Sequence, residues 1–265
     1  MTSVRSSNRS STILGEYLWA RRAAIPPEAV GLVREPNRRV PGLRREEVAK
    51  RASISPEYYL RLEQGHDREP SDQVLRGIAK ALLLDHNAEQ HLLRLRHMQL
   101  KPFRSSPEQL EIEVTEEMVQ LLRGWSNTPA MIISVNFDVF LVNDAAAQLG
   151  DGRLRQGFNL IESVFAAEGR DDHDWEAGAS RVLGALRYHG NPHDRRFQEL
   201  VGRLSIRDDD FRRLWARHDA RPVPYGRMRV GVGGSAEARA TCSTFEVPGA
   251  DGLLLIVFLG DTLEL

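Results

Sequence analysis

Residues 43–65, LRREEVAKRASISPEYYLRLEQG, admit few folds. Val48 and Ala49 can turn inward from a first helix read over 44–52. Ala52-Ser53-Ile54 then leaves room only for a tight turn, with Ile54 expected inside. Ser55 suits an N-cap, because its hydroxyl can accept from an amide of the first turn. Pro56 suits the first helical position, where a missing amide hydrogen costs nothing. The second helix is read over 56–64, with Tyr59 and Leu62 facing back toward the first. The small side chain of Ala49 lets two such helices cross closely. Glu57, Tyr58 and Arg61 are left outward, at the start of the second helix and one turn on. When such a helix lies in the major groove of double-stranded DNA, these positions reach base edges.

The surrounding sequence supplies three more helical patterns. Residues 13–24 place Leu14, Leu18 and Ala23 at near-helical spacing before Pro26-Pro27 ends the pattern. Residues 71–83 start at Ser71, a second N-cap candidate, with Val74, Ile78, Ala81 and Leu82 inward, and 87–98 bring Leu92, Leu93 and Leu95. Between the first and second helices runs a loop with Gly31, Pro36 and Pro41-Gly42 that carries Arg34, Arg38 and Arg39. Residues 1–11 are rich in Ser and Arg without an apolar stretch, and are expected to be a loose tail and not a signal peptide. A linker is read at 101–107, KPFRSSP, giving a helical domain over 12–100 and a second domain over 108–265. Charge divides at the same place. Residues 1–101 hold 18 Lys and Arg against 12 Asp and Glu, while the remainder holds 18 against 25. A basic part followed by an acidic part suits a phosphate contact confined to the first domain.

Residues 43–65 resemble the helix-turn-helix of the phage-repressor-like Xre family, and 12–98 cover its five-helix domain. The resemblance implies that 56–64 is the recognition helix, with Ser55, Glu57, Tyr58 and Arg61 facing DNA and Arg44 and Arg45 meeting phosphate. Ser53 stands where that family usually has Gly. Arg34, Arg38 and Arg39 are expected beside the DNA, contacting its backbone. The likeness continues into an actinobacterial branch whose second half is an MmyB-like ligand-binding domain. TPAMIISVNFDVFLVNDAAAQL, NLIESVF, DHDWEAGASRVLGALR and FQELVGRLSIRDDDFRRLWARHDAR carry it. It implies a PAS-like domain, which in some members encloses a fatty-acid-like molecule. Val232-Gly233-Gly234-Ser235-Ala236 replaces the His-Pro step and small turn common before the family's penultimate strand.

The residues of the second half agree with such a domain. Residues 130–135 and 139–142 read as strands around the turn Asn136-Phe137-Asp138. Helical patterns fill most of 143–218, including 175–188 and 208–218, and strands return at 227–232, 238–247 and 253–259, with Pro248-Gly249 and Asp251-Gly252 at the last turn. The fold class expected is a mainly α, five-helix amino-terminal domain followed by an α+β domain, an antiparallel sheet with helices. An apolar cavity is expected between sheet and helices. Ile133, Phe140, Phe245 and Val257 would form one wall, and Trp175, Leu183, Leu186 and Trp215 the other, with Arg187 or His218 orienting a ligand.

Other chemistries find little support. A single cysteine, Cys242, excludes an internal disulfide and a cysteine metal cluster. His189 and His193 are separated by Asn191-Pro192, which prevents a helical His pair, so no metal is expected. No glycine-rich phosphate loop, cofactor motif or catalytic arrangement is present, and no apolar run is long enough for a membrane span. The expectation is a bacterial cytoplasmic regulator, on the nucleoid when bound to DNA, acting as a homodimer on operator DNA and sensing a small apolar molecule such as a fatty acid. Its competitors are a regulator whose second domain serves only dimerisation or a protein partner, and an enzyme fused to a DNA reader.

Overall fold

The structure is a computed structural model that describes residues 12–35, 37–66, 69–100, 115–149, 152–166, 170, 174–223, 226–231, 237–247, 250 and 252–259. The expected tail at 1–11, the linker at 101–107, the altered turn at 232–236 and the Pro248-Gly249 step lie outside the described residues. The chain divides into two compact units.

The amino-terminal unit is helical: α1 Ile13–Ala24, a single 3-10 turn Pro27–Val30, α2 Arg45–Arg51, α3 Pro56–Glu63, α4 Asp72–Ala81 and α5 His86–Leu100. Each start has a local cause. Thr12, Ser55 and Ser71 accept from Gly15, Tyr58 and Val74 amides, satisfying donors that an open helix end leaves bare. Leu14, Tyr17, Leu18, Leu43, Val48, Tyr59, Leu62, Leu75, Ile78, Leu82 and Leu92 form the core. On α4 the buried face is Leu75, Ile78, Ala79 and Ala81, so Val74 is only half-buried and not inward as expected. Leu93 is likewise half-buried, beside buried Leu92 and Leu95. In this unit close approach to a backbone carbonyl requires glycine twice. A Cβ on Gly15 would stand 2.4 Å from the Glu63 carbonyl oxygen, and one on Gly42 2.3 Å from that of Ala23.

The carboxyl-terminal unit opens with α6 Glu116–Arg123, a helix the sequence reading did not anticipate. Then follow β1 Ala130–Ser134, β2 Val139–Val142, α7 Asp144–Ala147, α8 Leu160–Val164, α9 Trp175–His189, α10 Arg195–Arg207, α11 Asp209–Trp215, β3 Gly226–Gly231, β4 Glu237–Glu246 and β5 Leu253–Leu259. The helix expected over 208–218 stops at Trp215, and His218 has a φ of 52°, outside any helix. The strands form one antiparallel sheet in the order β2-β1-β5-β4-β3. This is the α+β domain expected.

Both faces of the sheet are covered over its central strands. Met131, Ile133, Val139, Leu254, Ile256 and Phe258 point toward the helical layer and pack with Leu183, Leu186, Phe197, Leu200, Phe211 and Leu214. Their strand neighbours Ala130, Ile132, Leu253, Leu255 and Val257 point the other way, onto Met118 and Leu122 of α6. The alternation is the period-two pleat of a strand. It breaks once, in β2. Ile132 pairs with Leu141 and Ile133 with Val139, so Phe140 is bulged out of register and joins Leu141 on the α6 side. Among the described residues no helix is long and apolar enough to cross a membrane.

Candidate functional site

The turn between α2 and α3 is built as the sequence implies. Val48, Ala49, Tyr59 and Leu62 are fully buried, Ile54 is half-buried, and the Ile54 amide closes on the Ala49 carbonyl at 3.0 Å. Ser53 has a φ of 57°, a left-handed conformation that glycine adopts without strain. Ser55 Oγ accepts from the Tyr58 amide at 3.1 Å. Ser55, Glu57 and Arg61 are exposed and Tyr58 is half-buried. The Arg61 guanidinium lies over the Tyr58 ring, 5.3 Å from its centroid. The four residues expected to face DNA therefore lie on the side of α3 away from its buried Tyr59 and Leu62.

Behind them is a charge network that sequence reasoning missed. Glu63, at the end of α3, is buried, with Oε1 2.5 Å from Arg22 Nε and Oε2 2.5 Å from Arg45 Nε. Arg22 also donates to the Leu43 carbonyl at 2.7 Å. One carboxylate thus ties α1, the loop before α2, α2 and α3 together. Nothing local announces it, since Arg22 and Glu63 are 41 residues apart. Burial, and then the Glu63 charge, hold the neighbouring Tyr59 phenol far above its ordinary range. Arg45 is held at its Nε while its side chain stays 39% exposed, so the outer guanidinium edge can still meet a phosphate. Arg44 is also partly exposed and pairs with Glu35 at 2.7 Å.

The loop arginines separate. The Arg38 side chain is 2% exposed and donates to both Glu47 oxygens at 2.7 and 2.6 Å, with further bonds to the Val40 and Gly42 carbonyls. Glu47 Oε2 also accepts from the Arg44 amide at 2.6 Å, capping α2. The hydrogen bond from Arg38 holds the Glu47 carboxyl below its ordinary range and raises Arg38 in turn. The expected backbone contact of Arg38 is corrected accordingly: its donors are spent on the loop and on α2. The capping pattern of Glu47 three residues after Arg44 was the one available signal. Arg34 and Arg39 are exposed.

In the sheet unit, the expected cavity wall does not assemble as drawn. Ile133, Leu183 and Leu186 share the packed layer between sheet and helices, with Trp175 and Trp215 partly buried against it. Phe140 packs on the α6 side, and Phe245, paired with Leu255 of that same face, is 54% exposed. Both are corrected by strand alternation, which sets Phe140 opposite inward Val139 and also carries Val257 to the α6 side. Arg187 is buried over the Trp215 ring, 3.7 Å from its centroid, and donates to the carbonyls of Trp215 and Asp219. It ties the end of α11 to α9. His218 lies in the chain between Trp215 and Asp219, the two residues whose carbonyls Arg187 engages. An open cleft of mixed polar and apolar character, which the sequence did not indicate, is lined by Arg155, Gln156, Phe158, Asn159, Glu162 and Ser163.

The sequence profile of a helix-turn-helix domain matches residues 13–92, and that of the MmyB-like transcription regulator ligand binding domain matches 114–261. A search of curated protein sequences finds no match. The second profile spans more than half of the chain, over the sheet unit just described, and the first spans the α2–α3 motif and its supporting helices. The chain belongs to the MmyB-like transcription regulators, with a helix-turn-helix domain ahead of the family's ligand-binding domain.

Proposed function

We propose that the chain is a sequence-specific, non-catalytic transcription regulator that binds operator DNA through residues 12–100 and senses a small apolar molecule through residues 108–265. The observation that carries the first half is the outer face of α3. Ser55, Glu57 and Arg61 are exposed there while Tyr59 and Leu62 lock the opposite face, as a helix presented to the major groove requires. Arg44 and Arg45, partly exposed, and Arg34 and Arg39, exposed, would meet phosphate. One recognition helix covers only a few base pairs, so the protein acts as a homodimer on a two-fold site. This reading places it in the bacterial cytoplasm, on the nucleoid when bound. Duplex binding measured across a salt series tests it. Affinity should fall steeply with salt on all duplexes and stay higher on a selected operator than on its scramble. Equal affinity for both would remove sequence specificity.

The sensing half rests on the ligand-binding domain profile and on a PAS-like strand order, β2-β1-β5-β4-β3, backed by a helical layer. Trp175 and Trp215, only partly buried against the apolar layer beside Leu183 and Leu186, are where an apolar ligand would enter. The packing of that layer favours a second reading, in which the domain serves dimerisation or a protein partner. Mass spectrometry of material extracted from the natively purified protein separates the two, together with melting measured against added medium- and long-chain fatty acids. A ligand at a hundred times its Kd adds about 2.7 kcal/mol of stability. No extracted molecule and no shift would leave the dimerisation or partner reading.

A further inference from the structure

The exposed face of α3 carries an acid and a base that do not pair with each other. Glu57 and Arg61 stand four residues apart on α3, about 6 Å along the helix axis. An acid four residues ahead of a base would ordinarily close into an ion pair. Among the described residues these two are not so joined, and Arg61 turns instead onto the ring of Tyr58. An arginine laid over an aromatic face has part of its rotamer freedom already removed, while its N–H donors remain directed along the guanidinium edge. Glu57, exposed and unengaged by that arginine, keeps both carboxylate oxygens as acceptors.

We propose that Tyr58 is a positioning residue that holds Arg61 for a guanine, and that Glu57 selects a cytosine within about two base-pair steps of it. The inference rests on the duplex-binding reading above. In the major groove an arginine can donate two hydrogen bonds to O6 and N7 of guanine, and a carboxylate can accept from the N4 amine of cytosine. A separation of about 6 Å along the helix matches one to two base-pair steps. The recognised half-site therefore contains two G·C pairs at that spacing, read by the two ends of one helical turn.

The test is selection from a randomised duplex pool by the full chain, run in parallel with E57Q, R61A, Y58A and Y58F, each checked for folding by circular dichroism. The wild-type pool should converge on a half-site with two G·C pairs one or two steps apart. E57Q should move one of them, and only that one, toward A·T, because glutamine pairs with adenine. R61A should remove the preference at the other. Y58A should lower guanine discrimination there by at least about 5-fold, and Y58F, which keeps the ring, should restore it. A half-site without the two pairs, an E57Q pool identical to wild type, or a Y58A chain that loses affinity equally on every duplex would overturn the assignment and leave duplex binding standing. Failure of Y58F to restore would place the effect on the hydroxyl and overturn the positioning role. A folded chain that retains no duplex even at low salt would overturn both.

Discussion

In the helical unit a buried carboxylate, Glu63, sits between Arg22 and Arg45 where α1, α2 and α3 meet. In the sheet unit the corresponding centre is apolar: Ile133, Leu183, Leu186 and Phe211 pack together, and ion pairs such as Arg196–Asp138 and Arg170–Asp210 lie less buried, alongside capping amides. Asn159 there caps α8 through the Ile161 and Glu162 amides and donates to the Asn136 carbonyl and Asp138. Asn143 similarly caps α7 and receives the Ala130 amide. The difference follows from size and task. A small helical unit gains orientation from directional charge pairs, and one such pair leaves Arg45 partly exposed at the surface. A sandwiched sheet obtains its order from register and needs no buried ion pair.

That contrast is open to direct attack, and the largest effect should come from the charge network. Glu63→Ala leaves Arg22 buried without its carboxylate, and should destabilise the helical unit by about 3–5 kcal/mol in urea unfolding. A loss under 1 kcal/mol would show that Arg22 escapes to water and that the network carries little. In the sheet unit Leu186→Ala opens a cavity in a fully buried layer and should cost about 2–5 kcal/mol. The two variants should affect different parts of the molecule by hydrogen exchange. Protection lost throughout the chain in either case would abolish the distinction between the units.

Smaller effects sharpen the picture of the loop. Arg38→Ala removes the clamp on Glu47 and should cost about 1–3 kcal/mol in thermal or urea unfolding. The pair also sets an acid limb. Because the Glu47 carboxyl is lowered from 4.5 in the folded chain, its stabilisation is complete above the unfolded value and disappears as pH falls below it toward the folded one. Arg38→Ala should therefore narrow the stability gap to wild type as the medium is acidified through that range, and a constant gap would assign the clamp to the carbonyl bonds alone. Smallest is Ser53→Gly, which relieves an exposed left-handed residue and should stabilise by up to about 1 kcal/mol. A loss on that substitution would show that the Ser53 side chain contributes something its exposure hides.

Much of this was legible in the chain. The α2–α3 unit announced itself because cap, proline, turn and helical spacing are all local, and the strands did so because 253–259 is an apolar run that must be buried. What the sequence withheld was tertiary. Arg38, Arg34 and Arg39 look equivalent in one loop, yet only Arg38 meets Glu47, and no local pattern separates them. Phe140 and Leu141 are consecutive strand residues that share the α6 side because of a one-residue bulge, and strict alternation from Val139 assigns Leu141 wrongly. Helix α6 escaped notice because its apolar face, Met118 and Leu122, has meaning only against a sheet formed by residues much later in the chain.

The position of α6 has a mechanical consequence. It is the first described element of the sheet unit, and β1 follows it directly in the chain. A pull applied at Thr115 would load the packing of Met118 and Leu122 against the sheet before it loads β1. The helical layer lies behind the opposite face, so a displacement there is felt by Met131 and Ile133 and handed on through β1 to Ala130 and Ile132. Strand β1 is thus gripped on both faces, by α6 through Ala130 and Ile132 and by the helical layer through Met131 and Ile133.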